Sequence, residues 1–128
     1  MLLLKMEITR LHHVQISIPF GSEDEVRRFY CGQLGLKEIP KPEPLINRGG
    51  LWLELGEFQI HFGTEDVDDR FATKRHIALE VRDINQARHD FEQAGVKIKE
   101  AIPIPGVERV DIHDPFGNRL EFMQRLEN

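Results

Sequence analysis

Leu11-His12-His13-Val14-Gln15-Ile16-Ser17-Ile18 alternates apolar with polar residues, and Arg75-His76-Ile77-Ala78-Leu79-Glu80-Val81 repeats the pattern in the second half of the chain. A period of two marks a strand with one buried face. The continuation repeats as well. Ser22 with Glu25, and Asp83 with Gln86, have the spacing of helix N-terminal capping boxes. Val26, Phe29, Tyr30 and Leu34 then fall on one helical face, as do Ile84, Ala87, Phe91 and Ala94. Both helices should stop at a glycine followed by an apolar residue, Gly35-Leu36 and Gly95-Val96.

Each half closes with a hairpin. Leu51-Trp52-Leu53-Glu54-Leu55 turns at Gly56-Glu57 into Phe58-Gln59-Ile60-His61-Phe62. Arg109-Val110-Asp111-Ile112-His113 turns through Asp114-Pro115-Phe116-Gly117-Asn118 into Arg119-Leu120-Glu121-Phe122, with Asp-Pro opening the turn and Gly117 free to take positive φ. Strand, helix, short strand, strand, strand therefore occurs twice. The expectation is an α+β chain of two tandem βαβββ modules, about 8–63 and 74–125, in one domain over residues 1–128.

Composition sets the outer limits. The 128 residues are 40% hydrophobic and 30% charged, enough for a core without disulfide staples, and Cys31 stands alone. A net charge of −5 with no basic cluster argues against nucleic acid as partner. No apolar run approaches the roughly 20 residues of a membrane span. Met1-Leu2-Leu3-Leu4-Lys5 is too short for a signal peptide, so a cytoplasmic protein is expected.

Side chains alternate faces along a strand. Val14, Ile16 and Ile18 should pack on the helices, as should Ile77, Leu79 and Val81, leaving His13, Gln15, Trp52, Glu54, Gln59, His61, His76, Glu80, Arg109, Asp111, His113 and Glu121 on the opposite face. That face is rich in groups that bind metals or protons. By the repeat His13 is equivalent to His76, and His61 to Glu121, and a pseudo-twofold axis would bring the four together. Imidazole and carboxylate suit Zn, Ni, Mn or Fe(II), and two His with one carboxylate leave positions open for substrate.

These residues carry a family likeness. His13-Val14-Gln15-Ile16-Ser17-Ile18, Phe29-Tyr30 with Leu34-Gly35-Leu36, and Asp114 through Phe122 resemble the vicinal oxygen chelate superfamily, which includes glyoxalase I, bleomycin- and fosfomycin-resistance proteins, methylmalonyl-CoA epimerase and extradiol dioxygenases. The resemblance runs from Leu11 to Gln124. It implies paired modules whose curved sheet surrounds a cup with helices outside, one divalent metal ion (Zn, Ni, Mn or Fe) in that cup, and a small-molecule substrate. His13, His76 and Glu121 match the three ligands shared by many members. His61 falls where glyoxalase I has a second glutamate, so the residue that shuttles the substrate proton there is replaced. Gln15 stands where fosfomycin-transferase relatives carry threonine, and extradiol dioxygenases usually have four modules rather than two.

The expected function is a glyoxalase-like, metal-dependent lyase or isomerase acting on a small oxygen-rich substrate. The alternatives are a metal-free sequestering protein of the bleomycin-resistance type and, third, an Fe(II) extradiol dioxygenase. Glu121 and Glu54 are the catalytic candidates, with Glu80 behind them. Gln15, Trp52, Gln59, Arg109 and His113 are candidates for substrate contact, Arg109 toward a carboxylate or phosphate. The Pro- and Gly-punctuated loop Lys41–Gly50 is a candidate lid. Other residues have plainer readings. His12 reads as a partly exposed core residue, His89 as solvated and Cys31 as packing, while the acidic run from Glu65 to Asp69 is a solvated connector. A homodimer is expected, since closed twofold pairs are the commonest assemblies and occur in this superfamily.

Overall fold

The computed structural model describes residues 6–127; Met1 through Lys5, the stretch weighed as a signal peptide, lies outside them. The chain divides after Glu65 into two compact units. Each is a four-stranded mixed sheet carrying a helix, and the two have the same topology. In the first, β1 (His13–Ile18), a helix, β2 (Lys37–Ile39), β3 (Leu51–Leu55) and β4 (Phe58–Thr64) assemble in the order β1-β4-β3-β2. In the second, β5 (His76–Glu80), α2 (Ile84–Gln93), β6 (Lys99–Glu100), β7 (Val107–His113) and β8 (Arg119–Arg125) assemble as β5-β8-β7-β6. The outer strands β1 and β5 pair in parallel with β4 and β8, and the remaining pairs are antiparallel. This is the α+β, twice-βαβββ architecture that the alternation predicts.

Burial explains the arrangement. Ile16, Ile18, Leu51, Leu53, Ile60 and Phe62 are buried with Val26, Phe29 and Tyr30 of the first helix. The Tyr30 and Phe62 rings meet edge-on at 4.7 Å. In the second unit Val110, Ile112, Leu120 and Phe122 are buried with Ile84 and Phe91, and the Phe91 and Phe122 rings meet at 5.0 Å. An edge-to-face aromatic pair thus pins each helix to the last strand of its sheet.

The helix ends differ from expectation at one cap. Asp83 accepts from the backbone of Asn85 and Gln86 and caps α2, although Gln86 does not reach back and instead donates to Asp90. Ser22 does not cap its helix; its hydroxyl donates to the Pro19 carbonyl, which removes it from the amides it would serve. That first helix, α1, is α-helical only over Glu23–Val26 and continues with π-type hydrogen bonds over Arg27–Gln33. At the end of α2, Val96 N–H donates to Phe91 O at 2.9 Å and Gly95 N–H to Glu92 O at 3.1 Å, with Gly95 at φ 73°. At the end of the first helix, Leu36 N–H reaches Tyr30 O at 3.0 Å and Gly35 N–H reaches Cys31 O at 3.2 Å. It is the same glycine cap with each bond spanning one residue more, because the π register carries into it.

The candidate lid has internal order. Its centre, Glu43–Arg48, is a 3-10 helix, and Lys41 Nζ clasps Gly49 O at 2.6 Å. Gly50 N–H donates to Glu23 Oε2 at 2.8 Å. Gly50 must be glycine: its φ is 78°, and a Cβ there would lie 1.9 Å from the Phe62 carbonyl oxygen. The Asp114–Asn118 turn is built as its residues suggest. Asp114 Oδ1 accepts from Phe116 N–H at 2.9 Å and Asn118 N–H at 2.8 Å, and Gly117 takes φ 98°.

Candidate functional site

Strand register places the repeat-equivalent residues alike in the two units. Gln15 pairs with His61 across β1 and β4, as Ala78 pairs with Glu121 across β5 and β8. His13 and His76 each lie two residues ahead on the outer strand, on the same face as His61 and Glu121.

In the first unit the polar face is an aromatic stack. Trp52, directly opposite His61 on β3, lies 3.8 Å from the His61 ring at an interplanar angle of 4°. His13 covers the His61 ring at 3.9 Å and 15°. His61 Nε2 donates to Gln59 Oε1 at 2.8 Å, which leaves Nδ1 with the lone pair of the neutral ring. Burial first, then the neighbouring charges of His13 and His12, push the His61 imidazole down to about 4. The ring is therefore neutral at ordinary pH, the form a metal ligand needs. His12 is exposed and shares a 2.9 Å Nδ1–Nδ1 contact with His13, so it is not the core residue expected. Gln15 lies over Gly63, where a Cβ would come within 2.6 Å of its Nε2. Glu54 is opposite Gln59 but exposed, with Lys37 Nζ at 3.8 Å.

The second unit gathers charge. Asp111 and Glu121 face each other directly across β7 and β8, and both are buried. Like charges at that position repel, and each is met by a diagonal arginine: Arg119 Nη2 lies 2.9 Å from Asp111 Oδ2, and Arg109 Nη1 lies 3.4 Å from Glu121 Oε1. Arg109 Nη2 also donates to the Ile102 carbonyl at 2.7 Å. The cluster is incompletely satisfied, since Asp111 Oδ1 and the Nε atoms of both arginines are buried without hydrogen-bond partners.

His76 completes it. Its Nδ1 lies 3.0 Å from the Lys74 carbonyl, which can only accept, so Nδ1 carries the proton. Nε2 is thereby turned to Glu121 Oε1 at 3.3 Å. A neutral His76 presents a lone pair to a carboxylate oxygen there, and a cation or a proton is what reconciles them. A backbone carbonyl fixing one ring nitrogen while the other faces the site is the usual support of a metal-ligating histidine. The donor chemistry of His76 and Glu121 suits a divalent ion of the Zn, Ni, Mn or Fe class. Among the described residues, no three His, Cys, Asp or Glu side chains are gathered as a cation site.

The predicted residues thus fall into two groups, Trp52, His61, His13 and Gln59 in one and His76, Glu121 and Arg109 in the other. His113 stands apart, exposed and 5.2 Å from the Phe71 ring. Sequence reading did not single out Asp111 and Arg119 as site residues. The signal was present as opposite charges two positions apart on paired strands, and it becomes visible only once the hairpin register is known.

Two βαβββ units with histidine and carboxylate on their polar faces define a glyoxalase-type fold. The Glyoxalase/Bleomycin resistance protein/Dioxygenase superfamily matches residues 10–122, and the chain belongs to it. Among solved structures, a glyoxalase family protein from Bacillus anthracis is 37% identical, with 95% of this chain and 99% of that one covered and a TM-score of 0.88. Two more distant structures share the fold. Lactoylglutathione lyase from Agrobacterium tumefaciens is 16% identical, with 93% and 96% covered and a TM-score of 0.72. An antibiotic binding protein from a Streptomyces species is 17% identical, with 94% and 98% covered and a TM-score of 0.68. No curated protein matches the sequence. Among the described residues, no helix is long and apolar enough to cross a membrane.

Proposed function

We propose that the protein is a glyoxalase-like, metal-dependent lyase or isomerase acting on a small, oxygen-rich, anionic substrate. Its ligands to one divalent ion are His13, His76 and Glu121, with His61 as the fourth. The observation that carries this reading is His76, held through Nδ1 by Lys74 O so that Nε2 faces Glu121 Oε1 at 3.3 Å. When bound, the ion would supply Lewis-acid polarisation of a substrate carbonyl or vicinal oxygens. Glu54 is the candidate general base, since its exposed carboxylate can accept a proton from a carbon next to that carbonyl. Trp52 and Gln59 orient the substrate by packing and hydrogen bonding, with Gln15 beside them. The lyase from Agrobacterium supports the enzyme class, but His61 in place of the second glutamate speaks against glutathione–methylglyoxal chemistry here.

One observation favours a second reading. In the near-parallel Trp52–His61–His13 stack the His61 ring is sandwiched, and a planar ligand held without turnover, as an antibiotic binding protein would hold one, would extend the stack on the outer face of Trp52 or His13. Elemental mass spectrometry on the untagged protein and on the His76→Ala and Glu121→Ala variants decides between them. About one divalent ion per chain, lost in both variants, supports the enzyme. No metal after incubation with Zn, Ni, Mn and Fe(II) would mean that the protein is a binder.

A further inference from the structure

Two nitrogens converge on one oxygen of Glu121, His76 Nε2 at 3.3 Å and Arg109 Nη1 at 3.4 Å, both on Oε1. The two arginines of the cluster are not used alike. Arg119 closes on Asp111 at 2.9 Å, whereas Arg109 makes its short bond, 2.7 Å, to the Ile102 carbonyl and lends Glu121 only a long one. We propose that Arg109 is a positioning residue that holds the Glu121 carboxylate against a divalent cation and so weakens the affinity of the site. This rests on the reading of Glu121 and His76 as ligands.

Arg109 and a cation compete for the charge of Glu121. Glu121 is 7% exposed and directly opposite a second buried carboxylate, Asp111, so it requires a cationic neighbour when no metal is present. Arg109 meets that need through the oxygen that His76 also faces. A cation taking Oε1 must displace the guanidinium contact and then remain near a positive charge, which the Ile102 carbonyl tethers in place. Both effects lower affinity. They keep the carboxylate oriented in the empty site and make cation binding reversible. A purely structural arginine would predict the opposite, because its removal would loosen Glu121 and weaken binding.

The test is calorimetric titration of Mn²⁺ or Zn²⁺ alone into full-length, chelator-stripped protein at pH 8, with folding checked by circular dichroism. Arg109→Met keeps the packed stem and removes the charge, Arg109→Gln removes it in a second way, and Arg109→Lys retains it. The expected result is binding about tenfold tighter in Arg109→Met and Arg109→Gln, near-wild-type affinity in Arg109→Lys, and loss of binding in Glu121→Gln. Unchanged or weaker binding in the two neutral variants, with a wild type that binds, overturns the proposal alone. A wild type that binds neither ion overturns the ligand reading together with it. Failure of both neutral variants to fold would assign Arg109 to stability and overturn it too.

Discussion

Asp111 is a buried carboxylate that leans on one cationic partner. It is 6% exposed, one carboxylate oxygen has no partner, and the other depends on Arg119. Removing one member of such a pair strands the other charge. Asp111→Ala should therefore destabilise the protein by about 3 kcal/mol in urea unfolding, while replacing Asp111 and Arg119 together by leucine should cost much less. An equal loss in the single and double variants would show that the two side chains are not coupled. His61 carries the complementary pH effect. Its imidazole is pushed down to about 4 in the folded chain, against roughly 6.5 when unfolded, so below pH 6.5 the unfolded state takes up a proton that the folded state refuses. Stability should fall as pH drops from about 6.5 toward 4, and this part of the fall should vanish in His61→Phe, which keeps a ring between Trp52 and His13. The comparison is made by urea unfolding in chelator at several pH values; identical slopes for the two proteins would refute it.

At the level of elements, the two helices test how far local signals reach. Asp83 caps α2 with two backbone bonds, so Asp83→Ala should cost about 1 kcal/mol, whereas Ser22→Ala should not lose a cap, because Ser22 serves Pro19 instead. Thermal unfolding of both variants checks the contrast. Strands were legible because period-two alternation is a burial signal, and the core side chains of β4, β7 and β8 obey it. The π register of Arg27–Gln33 was not legible: Val26, Phe29 and Tyr30 form one stripe in either register, so no residue type announces it. Nor was the failed Ser22 cap, since a serine before an acidic residue at the right spacing reads the same whichever way its hydroxyl turns. Of the proposed site, the equivalent strand positions of His13 and His76, and of His61 and Glu121, were legible from the repeat. The Asp111–Arg119 pair was not, because alternation gives the face of Asp111 but not the diagonal neighbour that the hairpin register brings to it.

For the whole molecule, size and surface argue together for assembly. Each unit is only about half of 128 residues, and domains near 60 residues bury roughly 60% of their chain surface and are marginal alone. Large apolar side chains remain exposed in both units, with Leu11 at 60%, Phe20 at 69%, Phe71 at 69% and Ile102 at 81%. These favour a second copy of the chain as cover, while the net charge of −5 opposes it by repulsion that salt screens. The expected state is a homodimer whose light-scattering mass is twice that of the chain at micromolar concentration. Its dissociation on dilution should be easier at low ionic strength than at high, and its unfolding temperature should rise with protein concentration, because association draws the equilibrium toward the folded state. A chain mass at every concentration and salt, with an unfolding temperature independent of both, would mean that the exposed apolar residues serve something other than self-association.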